Sequence, residues 1–95
     1  MVELDGSTLR VAAPMVIANA GALLAQGQAS LAAAAAVSRV DLSGVAEADS
    51  SAITVLFAWM RRAQAQGGSL TIVAPPASLL SLADLYGITE LLPLA

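Results

Sequence analysis

The sequence contains no cysteine, no histidine and no lysine. Without cysteine it has no disulfide, no thiolate nucleophile and no Cys-rich metal site. Without histidine it lacks the commonest general base near neutral pH and the commonest neutral metal ligand. Its positive charge rests on four arginines, Arg10, Arg39, Arg61 and Arg62, against seven acidic residues, for a net charge of −3. Such a chain cannot lay a basic stripe along a phosphate backbone, which argues against nucleic acid as a partner. Aromatics are scarce as well, with one Phe, one Trp and one Tyr. The core must therefore be built from Leu, Ile, Val and Met.

What the sequence does have is aliphatic bulk. Of its 95 residues 58% are hydrophobic and only 12% charged, and the length suits one domain spanning residues 1–95. Much of the hydrophobicity is alanine, as in the run from Leu31 to Val37, and alanine buries little area. So few charges imply that a partner covers part of the surface, unless the composition has simply drifted toward alanine. The most apolar early stretch, Val11 to Ala25, is interrupted by Pro14 and Asn19 and falls short of the roughly 20 residues that span a bilayer. Glu3 and Asp5 precede it where a secretory signal would carry positive charge. The expected location is the cytoplasm.

The patterning predicts an α/β domain. Met1 to Leu4 reads as a strand, Asp5-Gly6-Ser7 as a hairpin turn and Thr8 to Ala13 as a half-buried strand ended by Pro14. From Ile17 to Ala35 the period becomes helical, with Ile17, Ala20, Leu24, Leu31 and Ala35 on one stripe. Gly21 and Gly27 weaken this helix, and a break or bend is expected near Gly27. Arg39 to Leu42 reads as a central strand. Asp49-Ser50-Ser51 then starts a helix over Ile53 to Gln66 with Ile53, Leu56, Phe57, Met60 and Ala63 inward, stopped by Gly67-Gly68. Leu70 to Ala74 is apolar enough for a strand covered on both faces. Ser78 to Tyr86 forms a short helix with Leu79, Leu82 and Tyr86 inward, capped by Gly87, and one last turn follows at Thr89 to Leu92. Strands alternating with helices predict a mixed sheet of four to five strands, an N-terminal hairpin plus parallel strands, covered by three to four helices.

The chemistry concentrates between Val40 and Ala52. Ser50 and Ser51 fall at the start of a helix, where free N–H groups and the helix dipole favour a negative ligand or a phosphate. A purely structural role is open too, with Asp49 or Ser50 acting only as the N-cap. Ser51, Val55, Ala58 and Arg62 are expected to point outward, with Trp59 at the flank. Trp59 beside the arginines then reads either as an interface anchor or as peripheral core. The trio Asp41, Glu47 and Asp49 matches no calcium loop, and no phosphate-cradling glycine motif is present. A serine nucleophile would have neither a histidine nor a lysine to activate it. A small enzyme or nucleotide-binding protein is thereby disfavoured, and no cofactor is expected.

At Val40 to Leu56 the sequence resembles the STAS domain, the family of anti-sigma-factor antagonists and sulfate-transporter cytoplasmic tails. In that family a strand ends in Asp-hydrophobic-Ser, and a short loop leads to an Asp-Ser/Thr pair that opens a helix. Asp41, Leu42, Ser43, Val45, Asp49, Ser50, Ser51 and Ile53 fit this pattern, while Ala52 stands where glycine is usual. The likeness continues through the QGG turn, the LTIVA strand and the ending ADLYGITELLP; the first third matches in outline. Within the family the chain is most similar to the MlaB-type group. The resemblance implies a non-enzymatic subunit, cytoplasmic and peripheral to the inner membrane. Such a subunit contacts the ATPase of a phospholipid-transporting ABC complex that maintains lipid asymmetry. It places Ser50 at the family's phosphoacceptor position and implies a partner surface drawn from Asp49, Ser50, Ser51, Thr54, Val55, Trp59 and Arg62. The alternative it carries is an anti-sigma-factor antagonist switched by a serine kinase acting on Ser50.

Overall fold

The computed structural model describes residues 1–34 and 36–95; Ala35, expected on the first helical stripe, lies outside the described residues. The chain runs β1 (Val2–Asp5), β2 (Thr8–Val11), α1 (Ile17–Ala33), β3 (Arg39–Asp41), α2 (Ser50–Ala65), β4 (Thr71–Val73) and α3 (Ala77–Leu85), then a 3-10 turn over Thr89–Leu91. The sheet order is β1-β2-β3-β4. The β1–β2 hairpin is antiparallel, and β2–β3 and β3–β4 are parallel. Beyond β4, Leu94 bridges to Ile72 in parallel sense. Pro93 C=O accepts from Ile72 N–H at 2.8 Å, and Ala95 N–H donates to Ile72 C=O at 2.9 Å. The expected mixed sheet of four strands, with a single-residue addition at the edge, is present.

Register decides which side of the sheet is the core. Leu9, Val40 and Ile72 are paired across β2, β3 and β4, and all three are buried. The alternate rows carry Glu3, Arg10, Asp41 and Val73, and Asp5, Thr8, Arg39 and Thr71; each of these is exposed or half-buried. Side chains alternate faces along a strand, so the apolar row lies under the helices and the charged rows face out. Arg10 ties the outer face together, 3.2 Å from Asp5 and 3.6 Å from Asp41. The expectation that β4 is covered on both faces is therefore corrected. Ile72 alone is buried, while Thr71 and Val73 are half-buried, because the helices cover only one side.

α1 and α2 pack against each other along their length. α1 buries Leu23, Gly27 and Leu31, a stripe shifted from the expected one. Ile17, expected inward, is 76% exposed at the helix start, while Ala20 and Leu24 pack at the margin of the core. α1 does not break at Gly27. An added Cβ there would lie 2.1 Å from both Cε2 and Nε1 of Trp59, so the glycine is the notch that receives the indole. Trp59 Nε1 also points to Leu24 C=O at 3.4 Å. At the far end Gln66 Nε2 donates to Leu31 C=O at 2.9 Å, satisfying a carbonyl that the last turn of α1 leaves without a helical partner.

The helix stops follow the sequence. Gly67 and Gly87 adopt positive φ, +84° and +68°, and Gly68 N–H and Ile88 N–H reach back to Ala63 and Ala83 C=O at 2.9 Å each. These are the six-to-one bonds of a Schellman ending, which glycine permits at no steric cost. Tyr86, expected inward, is 53% exposed, because α3 has already ended there and Ala83 takes the inner place beside Leu79.

Candidate functional site

The C-terminal ends of β2, β3 and β4 and the starts of α1, α2 and α3 meet at one end of the molecule. The loops there are stitched together by backbone. Met15 N–H donates to Glu47 C=O at 2.9 Å, and Asp49 N–H to Met15 C=O at 3.1 Å. Ser78 Oγ, in the first turn of α3, accepts from Ala48 N–H at 3.1 Å. Three connections that are remote in sequence thus form one surface.

Asp49 is the hinge pin of that surface. As the N-cap of α2, its Oδ1 accepts from Ser51 N–H at 2.9 Å and also from the Ser51 hydroxyl. Its Oδ2 accepts from Ile17 N–H, the first residue of α1, at 2.9 Å. α1 begins after Val16, a residue with no capping oxygen, and Val16 makes no side-chain cap bond. One carboxylate therefore caps two helices. The bond to the Ser51 hydroxyl, with those from the Ile17 and Ser51 amides, holds the Asp49 carboxyl below its usual range, because each stabilises the charged form. Asp41 is lowered likewise, first by Ser43 and then by Arg10; Ser43 N–H donates to its Oδ1 at 2.9 Å.

The sign of the resulting pH dependence is fixed. A carboxyl whose pKa is lower in the folded state contributes stability that is complete above its unfolded value near 3.8. That contribution fades as pH falls through the folded value. Asp49→Asn keeps a capping oxygen but removes the charge. Its urea midpoint should drop less between pH 7 and pH 3 than that of the unaltered chain. Equal acid losses in the two proteins would show that Asp49 contributes nothing to acid sensitivity.

The structure sorts the predicted partner residues into three groups. Asp49, Ser50, Ser51 and Thr54 lie together at the tip of α2. Ser50 and Thr54 are exposed, while Asp49 and Ser51 are half-buried. Val55 and Trp59 belong elsewhere: the outward placement expected of Val55 is corrected, and Trp59, read at the flank as either interface anchor or peripheral core, is core and not an anchor. Val55 is 3% and Trp59 0% exposed. α2 packs on α1 as well as on the sheet, so its buried arc extends to Ala52, Val55, Leu56 and Trp59, and Phe57 and Met60, expected at its centre, sit at its margin. Arg62 is exposed, but it lies about 18 Å along the helix from Ser50, where its Nε donates to Gln66 Oε1 at 2.8 Å. It serves the α1–α2 seam, not the tip.

One site residue escaped the sequence reading. Ile17, largely exposed, is bonded through its amide to Asp49, the residue that caps α2 just before Ser50. The signal was the valine just before it, which leaves the helix start without a local cap. The tip thus offers a hydroxyl, a threonine and an isoleucine on a rigid base. Among the described residues no group of three or more Asp and Glu is placed to hold a metal ion, and no helix is long and apolar enough to cross a membrane.

This architecture is shared with proteins of known structure. A Thermotoga maritima protein described as an anti-sigma factor antagonist superposes with a TM-score of 0.79 at 15% identity, covering 99% of this chain and 83% of that one. The anti-sigma factor antagonist SpoIIAA, in its unphosphorylated form, gives 0.64 at 14% identity over 90% and 81%. The murine Solute Carrier 26 family member A9 anion transporter gives 0.70 at 19% identity, over 87% of this chain but only 14% of the transporter. At such identities the likeness establishes the fold alone. No curated protein matches the sequence significantly. The family model described as "Mlab, STAS domain" matches residues 2–93, and the chain belongs to that MlaB-type STAS family.

Proposed function

We propose that the chain, as one STAS domain over residues 1–95, is a non-enzymatic subunit that binds and stabilises the ATPase of a phospholipid-transporting ABC complex. It would do so on the cytoplasmic side of the inner membrane. The observation that carries this reading is the tip of α2. Ser50 is exposed at a helix start held by the Asp49 clasp, in a chain of the MlaB-type family. A rigid, partly apolar platform suits docking, because little ordering is lost when a partner lands on it.

The test is co-purification with the ATPase subunit of a phospholipid-transporting ABC complex from the same organism. A carboxylate buried without a partner at an interface weakens binding strongly, so Ser50→Glu should reduce affinity at least about tenfold, with Ser50→Ala much milder. The unaltered chain failing to retain the ATPase, or Ser50→Glu binding it undiminished, would refute this assignment.

The exposure of Ser50 favours a second reading, an anti-sigma-factor antagonist switched by a serine kinase. A phosphate there would meet the helix dipole favourably and the ionised Asp49 unfavourably, and would add close to two negative charges. Intact mass after incubation with an anti-sigma-factor kinase decides it: one added phosphate, lost in Ser50→Ala, supports the switch, and an unchanged mass removes it.

A further inference from the structure

The C-terminal part of the chain carries a second bare surface. The Schellman turn at Gly87 folds the 3-10 turn back onto the end of α3, with Ile88 N–H bonded to Ala83 C=O and Leu91 N–H to Ile88 C=O at 2.9 Å each. Around this corner Leu85 is 76%, Leu91 60% and Tyr86 53% exposed. They are three of the most exposed large apolar side chains among the described residues. Leu80, one turn before Asp84 on α3, is also exposed.

The charges carried by this segment itself have one sign. After Arg62 the sequence has no basic residue, and its acidic residues there are Asp84 and Glu90, both exposed and both at this corner. Apolar side chains this exposed and clustered mark a contact surface, and the acidic rim selects what can cover it. A second copy meeting the same face would set Asp84 and Glu90 against their own equivalents, a like-charge juxtaposition that disfavours pairing. An anionic lipid surface would be repelled for the same reason.

From these observations we infer that the Leu85–Tyr86–Leu91 corner is a second docking face, and that its occupant is a segment of another protein presenting aliphatic side chains flanked by Lys or Arg. Leucines or isoleucines of that segment would cover Leu85 and Leu91 while its cations meet Asp84 and Glu90. This face lies at the opposite end of α3 from the Ser78 bond that ties α3 to the tip surface. It can therefore be engaged while the α2 tip is occupied.

The test titrates the isotope-labelled full chain with a synthetic helix of leucine and lysine at helical spacing, and with its leucine–glutamate counterpart. Amide shifts confined to residues 80–92, and binding to the lysine peptide only, are expected. Leu85→Ser/Leu91→Ser should weaken that binding at least about tenfold, as should Asp84→Lys/Glu90→Lys. Because these residues are exposed, both variants should keep the unaltered melting temperature, and Ser50→Glu should bind the peptide normally, separating this face from the ATPase-docking reading. Shifts spread over the surface, equal binding of the glutamate peptide, or undiminished binding by the leucine variant would overturn the proposal. So would sedimentation as a dimer dissolved by Leu91→Ser, or binding to phosphatidylglycerol vesicles.

Discussion

Trp59→Ala should remove about 3–5 kcal/mol of folding stability, the cost of deleting a large aromatic from a closed core. A domain of this size holds only about 5–15 kcal/mol in total, so the variant should melt on the order of 15 °C lower or fail to accumulate as folded protein. The indole is wholly buried, fills the notch at Gly27 and joins the two helices that form the main layer over the sheet. Thermal unfolding followed by circular dichroism measures the effect. Any loss of partner binding in this variant would follow from unfolding, because Trp59 has no surface for a partner to touch. A melting temperature within a few degrees of the unaltered chain would mean that the α1–α2 seam does not hold the domain together.

Gly27→Ala is the converse experiment, and its sign is unusual. In an ordinary helix interior this change gains about 1 kcal/mol, because alanine is the better helix former. Here the new methyl would sit 2.1 Å from two indole atoms, and an indole closed in on all sides cannot swing away. Overpacking of this kind costs about 1–3 kcal/mol, so the net effect should be destabilising. In a Trp59→Leu background the obstacle is gone, and the same substitution should become neutral or stabilising. The double-mutant cycle should then return a coupling of about 1–3 kcal/mol between the two positions. Additive behaviour, or a rise in melting temperature for Gly27→Ala alone, would contradict the packing described.

That pair also shows where sequence reasoning stops. The order of elements, the hairpin at Gly6, the Asp49 cap and the glycine stops at Gly67 and Gly87 were all legible, because each is local chemistry with a characteristic residue. Helix faces were not. α2 carries apolar residues around much of its circumference, so two arcs fit its period almost equally well. Only the presence of α1 on one flank selects Val55 and Trp59 over Phe57 and Met60. Gly27 likewise looks like a flaw in α1 until the indole it admits is known. The same holds for the tip. Asp49 reads from sequence as the cap of its own helix, but its second bond, to Ile17, exists only because the parallel crossovers bring two helix starts side by side.

The outer flank of β4 has a further consequence. A terminal strand with free amides invites other polypeptides to extend it, yet here Ile72 already spends both main-chain groups on Pro93 and Ala95. On the opposite flank, the Val2 amide is occupied by Gln26 Oε1 at 3.1 Å. The β4 margin is therefore covered at Ile72 by residues 93–95, and the β1 margin is occupied at the Val2 amide. At the β4 margin a neighbouring polypeptide then finds no free Ile72 amide or carbonyl to pair with, and association there is left to side chains.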